Sequence, residues 1–145
     1  MKKLLLITVI FILQLFPSLG DPIGKGIICK CIEEKCTLKK RGHYFSKNKV
    51  KVHYFKREKD EIIIKFKEND YYRVTSSNIE WKYYDSGNYS LDRKTLKLTI
   101  DFPSFNKKIY SQCSLYKGFH FNREIRKLRK YYQKEYDKKI KDNKI

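Results

Sequence analysis

Between residues 50 and 115, apolar side chains recur at alternate positions in short runs. The runs are Val50, Val52 and Tyr54; Ile62, Ile64 and Phe66; Tyr72 and Val74; Ile79, Trp81 and Tyr83; Tyr89 and Leu91; Leu96, Leu98 and Ile100; and Ile109, Cys113 and Leu115. A period of two is that of a strand turning one face to a core. The alternate positions carry Lys51, His53, Lys65, Lys67, Arg73, Glu80, Lys82, Lys97 and Asp101, which predicts a sheet wet on its other side. Turn-like sequences separate the runs: Arg57-Glu58-Lys59-Asp60, Glu68-Asn69-Asp70, Asp85-Ser86-Gly87-Asn88 and Asp92-Arg93-Lys94. Connections this short imply antiparallel hairpins. A further strand is predicted over residues 27–32, and residues 33–49 read as a polar, Lys-rich stretch. The sum is a mainly β fold: an antiparallel meander forming a small barrel or sandwich, lipocalin-like in outline.

The period changes near the C-terminus. Ile125, Leu128, Tyr132, Tyr136 and Ile140 recur at steps of three and four, and Asn122 is placed to cap the turn before them. This predicts an amphipathic helix over residues 123–142, with a thin apolar stripe and a basic remainder. Docking on its own sheet, on a partner groove or on an anionic surface are the uses open to such a helix.

The first twenty residues follow neither pattern. Lys2 and Lys3 precede an apolar stretch running from residue 4 to 16, interrupted by Gln14 and followed by Pro17, Ser18, Leu19 and Gly20. That order is the one of a cleavable export signal, too short for the roughly 20 residues of a membrane span. Ser18 and Gly20 provide small side chains at the −3 and −1 positions for a cut after Gly20. The expected organisation is therefore a signal peptide at 1–20, a β-rich domain at 21–120 and a basic helix or tail at 121–145. The expected location is periplasmic or secreted, with no transmembrane segment once the signal is cut.

Composition adds a positive field. The formal net charge is +18, or +16 once Lys2 and Lys3 leave, which favours partners such as nucleic acid, acidic lipid or acidic glycan. Lys outnumbers Arg 27 to 7 and Ala is absent, as an AT-rich genome would also produce, so composition accounts for part of the charge. Within the helix, Arg123, Arg126, Arg129, Lys130 and Lys134 are the candidate anion-binding residues.

Export changes the reading of the four cysteines. Cys29, Cys31, Cys36 and Cys113 are even in number in a chain bound for an oxidising compartment, so two disulfides are expected. Cys29–Cys113 with Cys31–Cys36 fits the alternation, and Cys31–Cys113 with Cys29–Cys36 fits nearly as well. A four-Cys zinc site is the competing use, but the Cys-x-Cys-x4-Cys spacing lacks paired knuckles. No cofactor or metal is expected.

The remaining candidates are weaker. His43, His53 and His120 could in principle supply acid–base catalysis of RNA cleavage, yet no motif fixes their geometry. His43 reads as lying in a polar loop, His53 on the wet face of a strand and His120 at the helix entrance. Three surface histidines, and a protein that is not an enzyme, are the expectation; a small secreted hydrolase such as an RNase is the alternative. Tyr71-Tyr72-Arg73, Trp81-Lys82-Tyr83-Tyr84 and Tyr131-Tyr132 interleave rings with cations, as stacking platforms for single strands or sugars do. Their alternate members also satisfy a core. Asn88-Tyr89-Ser90 matches an N-glycosylation acceptor.

The chain resembles a loose group of short exported proteins from AT-rich, chiefly marine alphaproteobacterial, genomes. The likeness rests on the Lys2-Lys3-Leu4 start, Cys29-Lys30-Cys31, Trp81 among tyrosines, the hairpin Tyr89-Ser90-Leu91-Asp92-Arg93-Lys94-Thr95-Leu96, and Gln112-Cys113. That group usually has Asn where this chain has Asp92 and Gly where it has Leu96. The likeness covers roughly residues 1–116 and implies no activity.

Overall fold

The structure, a computed structural model, describes residues 19–33, 36, 40–69, 71–83 and 87–142. Most of the expected signal, Tyr84 and part of two predicted turns lie outside the described residues. The elements are β1 (Lys25–Cys31), β2 (Arg41–Phe45), β3 (Val50–Glu58), β4 (Glu61–Asn69), β5 (Arg73–Val74), β6 (Asn78–Tyr83), β7 (Gly87–Asp92), β8 (Lys97–Phe102), β9 (Lys107–Lys117) and α1 (Gly118–Asp142). A single 3-10 turn, Pro103–Phe105, joins β8 to β9.

The nine strands form one curled antiparallel half-barrel in the order β4-β3-β2-β1-β9-β8-β7-β6-β5. Every neighbour in that order is also a neighbour in sequence except β1 and β9. The first and last strands therefore meet in the middle of the sheet, with Cys29 opposite Cys113. The two edges, β4 and β5, are consecutive in the chain, so the sheet curls until one stretch of backbone supplies both. Tyr72, between them, packs edge-on against Phe45 at 5.5 Å and donates its hydroxyl to the Ser46 carbonyl at 2.9 Å. Arg73 strengthens the two-residue β5 by donating from Nε and Nη2 to Glu80 Oε2 at 3.2 and 2.5 Å.

The inner face holds the main core. Ile27, Phe45, Val50, Val52, Ile79, Trp81, Tyr89, Leu91, Leu98 and Ile100 are buried there together. The β7–β8 turn adds Leu96, whose φ of +56° is one that a glycine adopts more cheaply. Its side chain is nevertheless buried, so the backbone cost is accepted for core contact.

A sheet wet on one side holds only for half of the molecule. Over β1 to β4 the outer face is covered as well, because α1 lies across it. Ile28, Phe121 and Ile125 are buried in this second layer, with Tyr44, Phe55, Ile64, Tyr116 and Leu128 packed around them. Ile64 and Phe66 pair with Phe55 and His53, so they face the helix and not the core reached by Val50 and Val52. His53 is therefore no wet-face residue: its ring lies edge-on to Phe121, 5.2 Å away.

Two other expectations are corrected. β2 lies within the stretch read as polar, because its inner positions are Arg41, His43 and Phe45 and its outer ones Gly42 and Tyr44, which leaves no apolar alternation to see. The helix starts at Gly118 and not after an Asn122 cap, since β9 runs straight into it and the Gly118 amide is taken by the Gly24 carbonyl at 3.1 Å. The helix is therefore no tail but one layer of the fold.

Candidate functional site

α1 is fixed from below by residues chosen for close approach. Gly26 and Gly42 lie diagonally on adjacent strands, opposite Tyr44 and Ile28, and a Cβ on either would overlap the Phe121 ring; on Gly42 it would also meet Ile125. Farther along, the Tyr132 hydroxyl accepts the Lys40 amide at 2.9 Å. Gln133 then completes the β3–β4 turn: its Oε1 accepts the Ile62 amide at 2.7 Å and its Nε2 donates to the Asp60 carbonyl at 2.9 Å. Arg57 stacks over the Tyr136 ring at 4.5 Å. From Phe121 to Tyr136 the apolar stripe of the helix is thereby engaged within the molecule.

What remains for solvent is the opposite side. At 100° per residue, Phe119, Arg123, Arg126, Lys127, Lys130 and Lys134 fall along one crest. Phe119, Asn122, Arg123, Arg126, Lys127 and Lys130 line a shallow depression of about 420 Å³. Phe119 is 78% exposed at its rim, a large apolar ring held in water. Arg123 and Lys134 are eleven residues apart, about 16 Å at helical rise. Glu124 interrupts the cations: Lys127 donates to its Oε1 at 2.7 Å, with Arg123 at 3.6 Å. That Lys127 hydrogen bond, more than the Arg123 charge, holds the Glu124 carboxyl below the ordinary carboxylate range. Among the described residues Arg126, Lys130 and Lys134 form no ion pair.

Of the five cations singled out in the sequence, Arg123, Arg126, Lys130 and Lys134 share this crest. Arg129 is turned 100° from Lys130 and points off it. Phe119 was missed because the stripe starts at Ile125, which hid the first turns of the helix. The arrangement can hold several anionic groups in a row.

The histidines are not brought together. His43 lies on the inner face between Ile27 and Val52, His53 on the outer face under α1, and His120 on the helix surface against Phe119. His43 is fully buried, not a loop residue, with Trp81 and Tyr89 rings at 5.4 and 5.8 Å. Burial, aided by the Arg41 charge, pushes its imidazole down to about 3, so it is neutral at ordinary pH. Burial also lowers His53. Nδ1 of His43 and of His53, and Nε1 of Trp81, are buried without a hydrogen-bond partner among the described residues.

The aromatic sets divide as well. Trp81 and Tyr72 serve the core, whereas Tyr71 and Tyr131 are exposed. The cysteines are all bridged, as Cys29–Cys113 and Cys31–Cys36, which leaves no thiolate for zinc. Two such bridges fit an oxidising environment outside the cytoplasm. No helix among the described residues is long and apolar enough to cross a membrane. No family model matches this chain, and no curated protein or solved structure matches it.

Proposed function

We propose that this is a non-catalytic, secreted or periplasmic binding protein whose half-barrel serves as a rigid mount for the basic crest of α1, and that the crest holds an extended anionic polymer. The observation that carries the reading is the division of the helix: its apolar side is spent on its own sheet, while its cations face outward beside an exposed Phe119. A polymer is favoured over a lipid surface on the same ground. A membrane-lying helix needs a free apolar face to insert, and here the exposed rings Phe119 and Tyr131 are turned about 120° apart on α1 and form none. The helix carries nine cations, Arg123, Arg126, Lys127, Arg129, Lys130, Lys134, Lys138, Lys139 and Lys141, against Glu124, Glu135, Asp137 and Asp142, a surplus of five. Repeating anions meet that surplus at successive turns, and the ring at the rim suits a stacked base or sugar.

Titration with a fluorescent oligothymidylate tests the reading. The mature protein binds it at about 50 mM salt with an affinity that falls steeply as salt rises. Replacing Arg126, Lys130 and Lys134 by Glu lowers affinity more than tenfold and reduces the logarithmic salt slope by about 2, the value for three contacts to a single strand. Absence of binding to oligothymidylate and to heparin at low salt ends the proposal.

A further inference from the structure

Leu19 is among the most completely buried side chains of the molecule, 1% exposed and packed into the main core. Its backbone is tied down on both sides. The Leu19 amide donates to the Arg93 carbonyl at 2.7 Å, and Arg93 Nε returns a bond to the Leu19 carbonyl at 3.0 Å. The same guanidinium reaches the Gly20 carbonyl from Nη2 at 3.0 Å and the Thr75 carbonyl from Nη1 at 2.6 Å. Arg93 belongs to the β7–β8 turn and Thr75 to the β5–β6 turn. One side chain thus gathers both turns and the segment 19–20, with Leu19 closing that end of the half-barrel.

A cut after Gly20 is incompatible with this arrangement. It removes the Leu19 side chain from the core and takes from Nε and Nη2 of Arg93 the carbonyls they hold. The four residues after it are otherwise placed: Asp21 accepts the Ile23 amide, the Pro22 carbonyl accepts the Lys25 amide at 3.0 Å, Ile23 is exposed, and Gly24 is engaged with Phe45 and Gly118. We propose that the exported chain keeps Leu19 and Gly20, so that processing occurs on the N-terminal side of Leu19. The proposal rests on the reading of residues 1–18 as an export signal and moves its boundary. Ser18 then supplies the small side chain at −1, with the bulkier Phe16 at −3, and the exit of the signal doubles as a structural plug. A new α-amino group on Leu19 still has protons to donate to the Arg93 carbonyl. Cleavage has to precede folding, because in the folded chain the backbone at 19 is engaged with Arg93.

The decisive experiment expresses the complete precursor in an exporting host, as wild type and as Leu19→Ala, and recovers the oxidised product. Amino-terminal sequencing and intact mass are expected to give Leu19, or a residue between Met1 and Leu19, as the first. The two products are expected to differ, with Leu19→Ala melting roughly 10 °C lower for loss of a buried leucine side chain. If the cut falls after Gly20, the products are the same molecule with the same melting temperature, and an amino-terminal Asp21 confirms it; that result overturns the proposal and leaves the signal standing. A product that still begins at Met1 removes the signal and the proposal together. Arg93→Ala, in the same host, is expected to lower the melting temperature of the wild-type product by a smaller amount and to leave its first residue unchanged.

Discussion

His43 brings an imidazole into an interior of Ile27, Val52, Trp81 and Tyr89, where water cannot follow. In the unfolded chain this group titrates near 6.5, whereas burial holds it at about 3 in the fold. Below pH 6.5 the unfolded state therefore binds the extra proton, and the fold loses stability as pH falls toward 3. The loss approaches 1.4 kcal/mol per pH unit, and above 6.5 the contribution is complete. Urea midpoints measured from pH 7 to 4 are expected to fall accordingly, and His43→Leu to flatten the slope by about one proton. A slope unchanged by His43→Leu would show that the imidazole is hydrated in the fold. Nothing in the sequence announced this burial. A histidine between Gly42 and Tyr44 carries the same polarity whether it faces water or Trp81, and only the register with Ile27 and Val52 decides.

The helix and the strands beneath it illustrate how a pattern can be legible while its purpose is not. The stripe of Ile125, Leu128, Tyr132 and Tyr136 showed that residues beyond 122 form an amphipathic helix, but a stripe names no partner. The partner was written in glycines. Gly42 reads as a loop residue and helped to hide β2, yet its missing side chain is what admits Phe121 and Ile125 to the sheet. The alternation of β3 and β4 was similarly read in one sense only, since His53, Phe55, Ile64 and Phe66 look like a mixed face until a helix covers it. Gly42→Ala is accordingly expected to push the helix off its seat, at a cost of about 2–3 kcal/mol for forced overpacking. Gly87→Ala is the control, because the nearest atoms there are the Phe102 ring at 3.3 Å, with room to adjust. Thermal melts, with limited trypsin digestion reading release of α1, distinguish the two; equal behaviour would mean that the helix docks without the glycine seat.

For the molecule as one body, the arrangement that matters is where the chain ends meet. β1 to β4 and β5 to β9 are two meanders, and the order of the sheet joins them at its middle through β1 and β9. Every residue pair in that seam is remote in sequence, so closing it requires ordering the whole chain between them. Cys29–Cys113 lies within the seam, with a sequence separation of 84, while Cys31–Cys36 spans only 5 at its margin. The alternation of Cys113 with Ile109 and Leu115 already pointed to the long bridge, although it could not choose between Cys29 and Cys31. Direct opposition of Cys29 and Cys113, with Cα atoms 4.0 Å apart, settles the choice. Replacing both Cys29 and Cys113 by Ser is expected to cost about 4.5 kcal/mol in the chain-entropy account, and replacing Cys31 and Cys36 about 2 kcal/mol. Against a total stability of about 5–15 kcal/mol, the first loss brings a domain of this size close to unfolding and the second does not. Denaturant unfolding of the two double variants checks the ranking. If both lose the same amount, the β1–β9 seam holds without its sulfur bridge, and α1 and the Arg93 bonds to Leu19 and Gly20 share in joining the two meanders.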